Sequence, residues 1–126
     1  MADRAKRSGS TRALGDRAEE RAEAFLKEKG VKVLERNFRC RMGEIDLIGL
    51  EGSTCVFFEV KYRKSTGSGR PFEAVGVTKQ RKISRTADFY RMKKGLGGDT
   101  LFRFDVISIL GDEISWYKNA FYYSGG

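Results

Sequence analysis

Between Gly43 and Lys64 the chain reads GEIDLIGLEGSTCVFFEVKYRK, two strongly apolar runs joined by a Gly-containing turn. Both IDLIGL and CVFFEV are apolar on each of their alternating faces, the pattern of strands covered from two sides. Leu101 to Leu110 (LFRFDVISIL) is a third doubly apolar strand, with Arg103 and Asp105 on one face. Val31 to Arg39 alternates over its first half and reads as a half-exposed strand, and Glu113 to Tyr123 as an aromatic-rich last strand. Two segments carry the three- and four-residue steps of amphipathic helices. In the first, roughly Thr11 to Lys29, Ala18, Ala22, Phe25, Leu26 and Lys29 form the inward stripe and Gly30 the stop. In the second, roughly Thr78 to Lys94, Thr78 is the expected N-cap and Gln80, Ile83, Ala87 and Tyr90 form the stripe. The order α-β-β-β-α-β-β predicts an α/β domain: an antiparallel meander, then a crossover helix feeding a further strand.

Charges inside covered strands are costly, so their positions matter. Period two places Glu59 and Lys61 on one face of their strand and Phe58 and Val60 on the other. Asp46 falls on the neighbouring strand, and alternation puts Glu44 on the face of Asp46. Two carboxylates about 5 Å apart repel by about 3 kcal/mol at an effective dielectric near 20. A cation must offset that repulsion. Lys61 supplies one positive charge, and a divalent metal with oxygen ligands would supply more. Glu19 lies at the edge of the first helix stripe, in line with Gly15, Ala22 and Leu26. Spacing alone favours one more surface carboxylate beside Glu20, Glu23 and Glu28.

The balance of 25 Lys and Arg against 17 Asp and Glu gives a net charge of +8, which calls for an anionic partner. Nucleic acid is the commonest, and acidic lipid also fits. The second helix sharpens this: Lys79, Arg81, Lys82, Arg85, Arg91, Lys93 and Lys94 crowd one face and only Asp88 balances them. Such a run is usually a solvated face, yet with so little compensation it suits a phosphate backbone, with Lys79, Lys82, Arg85 and Arg63 as the expected contacts. The chain has no histidine, which excludes Ser-His-Asp and Cys-His catalysis and His-ligated zinc. Cys40 and Cys55 form neither a disulfide framework nor a four-ligand zinc site. At 126 residues the chain is one domain, 13–126, after a basic arm, 1–12, that reads as disordered. A Gly- and Ser-rich loop around Pro71 follows the charged strand and is a natural place for a lid. Tyr117, Phe121, Tyr122 and Tyr123 either stack on bases or cover the sheet edge, and the second reading is favoured. With no export signal and no apolar run near membrane-spanning length, the expectation is a soluble cytoplasmic protein without membrane contact.

GEIDLI, VFFEVKYR, the EAV and TKQRKI stretch, RFDVISI and the NAF after Trp116 follow in the order and spacing of the YraN-like family of small bacterial proteins, which the chain resembles over nearly everything beyond Gly15. That family is similar to the restriction-endonuclease-like superfamily, PD-(D/E)xK, of metal-dependent nucleases, which includes archaeal Holliday-junction resolvases. The resemblance implies a restriction-endonuclease-like mixed sheet flanked by helices. It implies that Asp46 and Glu59 bind Mg²⁺ or Mn²⁺, that Lys61 positions or activates the attacking water, and that Glu19 is the first-helix carboxylate of the site. Gln80 lies where many superfamily members carry a helix Gln near the site. Glu44 receives no transferred role and stands as a neighbouring or substrate-contacting group.

Two function classes follow. One is a Mg²⁺-dependent endonuclease hydrolysing phosphodiester bonds in DNA or structured nucleic acid, with a symmetric homodimer if two strands of a junction are cut. The other is a nucleic-acid-binding or DNA-processing accessory protein that keeps the fold without turnover. A structural ion-pair cluster of Asp46, Glu59 and Lys61 is a third, non-functional account of the same residues.

Overall fold

The strand that carries Glu59 has a neighbour on each side and a helix over each face. The computed structural model describes residues 9–64 and 75–125, with side chains from residue 17 onward. Helix α1 (Gly9–Glu28) leads into β1 (Lys32–Cys40), β2 (Gly43–Glu51) and β3 (Thr54–Arg63); α2 (Val77–Lys93), β4 (Phe102–Leu110) and β5 (Glu113–Phe121) complete the order. The five strands lie in sequence order across one sheet. All neighbouring pairs are antiparallel except β3 and β4, which are parallel and joined through α2. Parallel neighbours require a crossover of this kind. The α/β architecture and the element order are those expected from the pattern.

Each helix seals one face. Ala18, Ala22 and Leu26 of α1 pack on Leu47, Val56, Phe58, Ile107 and Ile109. Ile83, Ala87 and Tyr90 of α2 pack on Ile48, Cys55, Phe57, Phe104 and Val106. That arrangement explains why β2, β3 and β4 are apolar on both sides. Cys55 sits in the α2-side layer as a free thiol, and burial pushes its pKa up to about 11. Phe121 stacks on Phe104 with ring centroids 5.0 Å apart, so this aromatic belongs to the core, while Tyr122 is exposed. Among the described residues no helix is long and apolar enough to cross a membrane.

Several boundaries differ from the sequence reading. Helix α1 starts at Gly9, before the periodic apolar residues begin. Residues 1–8 of the expected arm and residues 65–74 of the expected loop lie outside the described residues. The last strand ends at Phe121 rather than Tyr123. Thr78 is not the N-cap of α2: Gly76 takes that position with extended φ and ψ, and no side chain caps the turn. In its place Gln80 donates from its own amide N–H to Gly76 O and from Nε2 to Val75 O, at 2.9 and 2.7 Å. Arg91, expected on the outward basic face, lies against the start of β4 with its guanidinium 4.0 Å above the Phe102 ring. A cation over an aromatic face is attracted to it, which draws the side chain inward.

Candidate functional site

Strict alternation fails at one place in β2, and the candidate site is there. Ile45 and Ile48 are three residues apart yet both pack beneath α2, so the side-chain alternation slips once between them, beside Asp46. Opposite, β1 slips too: Arg36 reaches Glu23 on α1 while Phe38, two residues on, packs against Tyr90 of α2. Asn37 lies between the pairs Arg36 with Leu47 and Phe38 with Ile45, facing Asp46, and takes a left-handed φ of 52°. Asn tolerates that conformation better than most residues. On the other side, the β2–β3 ladder runs from Glu51 with Thr54 to Leu47 with Phe58 and stops. Beyond it, the Val60 N–H donates to Asp46 Oδ2 at 2.8 Å. A carboxylate thus replaces a ladder carbonyl where two strands diverge.

The environment of Asp46 is anionic. Burial of the carboxyl raises its pKa well above the usual carboxylate range, and the charge of Glu59 adds to the rise. The Val60 hydrogen bond works in the opposite direction, Glu19 raises the pKa further, and Lys79 lowers it. Glu59 is a buried residue, and Phe58 and Val60, its chain neighbours, face the α1 side as alternation requires. Glu19 contributes from α1, with its Oε1 atom buried. Three acidic residues from three elements therefore interact through a poorly solvated region, although Asp46 keeps part of its surface open to solvent.

The cation at this site is Lys79. Its Nζ donates to Glu59 Oε2, from the first turn of α2. Partial burial weakens the lysine's hold on its proton, but the hydrogen bond and the charges of Glu59, Asp46 and Glu44 outweigh it and raise the pKa. Sequence reasoning grouped Lys79 with outward-facing cations and gave the compensating role to Lys61. Among the described residues Lys61 makes no ion pair, although it shares the face of Glu59. One signal in the sequence did point to Lys79. A cation in the first turn opposes the helix dipole, and that turn holds no acidic residue to balance it.

The remaining expected residues spread around this centre. Gln80 braces the entry to α2 rather than touching the carboxylates. Glu44 is exposed and pairs with Arg39 Nε at 3.1 Å. It borders a cleft of about 570 Å³ between the start of β2 and the start of α2, together with Gly43, Val77, Lys79 and Lys82. Gly43 has no substitute there, because a Cβ would come within 3.1 Å of Thr86 Oγ1 and φ is +152°. Arg85 points elsewhere, with Nε 3.5 Å from Gly125 O, and Arg63 ends β3, its carbonyl accepting the Gly111 N–H.

The donor set suits a hard divalent cation: carboxylate oxygens, no histidine, and an excess of negative charge. Asp46 and Glu59 are the residues that would hold it. Among the described residues no three His, Cys, Asp or Glu side chains are gathered closely enough to hold an ion on their own. Two carboxylates would therefore have to rely on water for the rest of the shell, an arrangement that Mg²⁺ accepts more readily than most ions.

A family model described as Uncharacterised protein family UPF0102 matches residues 18–109, the span that holds Glu19, Asp46, Glu59, Lys61 and Lys79. A UPF0102 protein of Caldicellulosiruptor saccharolyticus is 42% identical over 116 residues, covering 87% of this chain and 98% of the relative. One from Lachnoclostridium phytofermentans is 46% identical over 103 residues, 82% and 87% of the two chains. One from Colwellia psychrerythraea is 43% identical over 122 residues, 93% and 94%. With the strand motifs and a match over most of its length, the chain belongs to UPF0102, the YraN-like family.

Proposed function

We propose that the protein is a Mg²⁺- or Mn²⁺-dependent endonuclease that hydrolyses phosphodiester bonds in DNA or structured nucleic acid. The observation that carries this reading is the placement of Asp46 where β2 and β3 part, its Oδ2 held by the Val60 N–H next to the buried Glu59, with Glu59 and Glu19 opposing its ionisation. A carboxylate whose ionisation is opposed by burial and by like charge is suited to a cation ligand. When bound, a divalent ion supplies an acidified water and neutralises charge on the phosphoryl oxygens. Asp46 and Glu59 would hold the ion, with the Val60 N–H orienting Asp46. Lys61, on the Glu59 face, donates to the attacking water or to a phosphate oxygen. Lys82 and the cleft beside it guide the backbone of the substrate.

The test is incubation of purified protein with branched, nicked and single-stranded DNA in Mg²⁺ or Mn²⁺, alongside an Asp46→Ala control. Cleavage that requires both the ion and Asp46 is the expected result, and absence of cleavage above the control removes the enzymatic reading.

One observation favours a second reading. Lys79 already neutralises Glu59 without a metal, as it would in a non-catalytic nucleic-acid-binding or DNA-processing module. That module would bind DNA in a salt-sensitive, metal-independent way, unchanged by Glu59→Ala.

A further inference from the structure

The Lys79–Glu59 pair has features that a purely structural ion pair does not need. Its carboxylate side chain is 7% exposed while its lysine side chain is 53% exposed. The ammonium thus reaches inward from a solvent-facing stem, on four rotatable bonds that can withdraw it without disturbing the core. Its backbone sits in the first turn of α2, where a positive charge is unfavourable unless anions lie opposite. The anions that hold it, Glu59 first and then Asp46 and Glu44, include the two carboxylates assigned above to the metal. A local rule broken in favour of a site is the pattern expected of function rather than stability. Outward from Glu59, the same lysine borders the cleft with Lys82 and Glu44.

We infer that Lys79 is a displaceable cation: its ammonium holds the position beside Glu59 in the metal-free protein, yields it to a divalent ion, and then faces the cleft, where it meets a substrate phosphate. This rests on the metal-dependent reading and adds a residue and an order of events to it. Metal entry and substrate contact become linked through one side chain, because Lys79 serves the phosphate only after the ion has released it. Lys79 thus contacts the substrate directly rather than acting through another residue.

The test is a calorimetric titration of Mn²⁺ into the wild type, Lys79→Gln and Lys79→Arg, with thermal unfolding of each protein with and without Mn²⁺. Removing the competing ammonium tightens Mn²⁺ binding in Lys79→Gln by about fivefold, the scale of one partly exposed ion pair. The same variant unfolds at lower temperature than wild type without metal, since Glu59 is left uncompensated, and recovers when Mn²⁺ is added. Lys79→Arg, which keeps the charge, stays close to wild type in both measurements. With Mn²⁺ replaced by Ca²⁺, Lys79→Gln binds a short branched DNA more weakly than wild type, and in a chelator the two bind equally. If the wild type binds Mn²⁺ and Lys79→Gln binds it no tighter, the displacement is wrong while the metal site stands. If the wild type takes up no Mn²⁺ at all, the displacement and the metal-dependent function fall together.

Discussion

Two aspartates, Asp46 half-buried on β2 and Asp105 fully buried on β4, occupy similar settings and end in opposite electrostatic states. Each lies beside an interruption of its strand ladder, and each interruption carries an Asn with positive φ: Asn37 at 52° and Asn119 at 54°. Each carboxylate accepts a backbone N–H from a neighbouring strand, Val60 in one case and Asn119 in the other. There the likeness ends. Asp105 also accepts from Arg103 Nε at 3.0 and 3.1 Å and from Trp116 Nε1 at 2.8 Å. Arg103 goes on to Glu51, which in turn binds Lys118. Burial works against the Arg103 charge, but its bonds to Asp105 and Glu51 hold the proton more firmly than usual. The cluster has its acceptors filled by fixed donors, as a structural network should.

Among the described residues no guanidinium bonds Asp46. Its near neighbours are Glu59 and Glu19, and the cation present is a lysine bound to Glu59. One aspartate is therefore paired with a fixed guanidinium, and the other, among the described residues, is not. Counting buried acids does not separate the two. Counting the permanent positive partners of each does.

The largest effect expected from breaking this contrast is at Asp105. Asp105→Ala takes one of two carboxylates from the Arg103 guanidinium and leaves Trp116 Nε1 and the Asn119 N–H without their acceptor, and should cost about 3–5 kcal/mol of stability in denaturant unfolding, with no response to divalent ions. Asp46→Asn should act in the reverse direction. It keeps an acceptor for the Val60 N–H and removes like-charge repulsion, so the metal-free protein should gain about 1–2 kcal/mol near neutral pH. The same substitution should remove metal-dependent cleavage, a loss beyond the about 10- to 100-fold that outer-shell changes produce.

A pH series sharpens the point. The folded pKa of Asp46 lies above its ordinary value of 3.8, so between the two values the native state binds more protons than the unfolded state. Stability from this group is then full below the ordinary value and is lost as pH rises through the raised one. Thermal unfolding should therefore show wild type falling behind Asp46→Asn as pH increases from about 4 towards 8. A saturating divalent ion should abolish that deficit. The smallest effect belongs to Lys118→Ala, which removes a half-exposed ion pair with Glu51 and should change stability by less than about 1 kcal/mol.

Much of this contrast was legible in the chain. The two-faced apolarity of β2, β3 and β4 gave away a sheet covered on both sides, and period two put Glu59 and Lys61 together and Arg103 with Asp105. The Asp46 slip was not legible. It depends on where the β2–β3 ladder ends, and nothing in GEIDLI marks the residue at which alternation stops. Lys79 was missed because its charge was weighed before its position: it stands four residues before the inward Ile83, on the same helical stripe, yet was grouped with the solvated basic face. Thr78 looked like a cap because Thr is a good one, yet the chain reaches α2 in an extended conformation at Gly76. The filling of Asp105 by the Asn119 N–H was equally hidden, because it requires the bulge in β5.

The most direct test is an amide NMR spectrum of the wild-type protein titrated with Mn²⁺, whose unpaired electrons broaden signals near the bound ion. The amides of Asp46, Glu59 and Val60 should broaden at trace Mn²⁺, and those of Asp105 and Asn119, one or more strands further away because Asp105 pairs with Phe58, only at higher concentration. Uniform weak broadening across both clusters, or broadening centred on Asp105, would contradict the account.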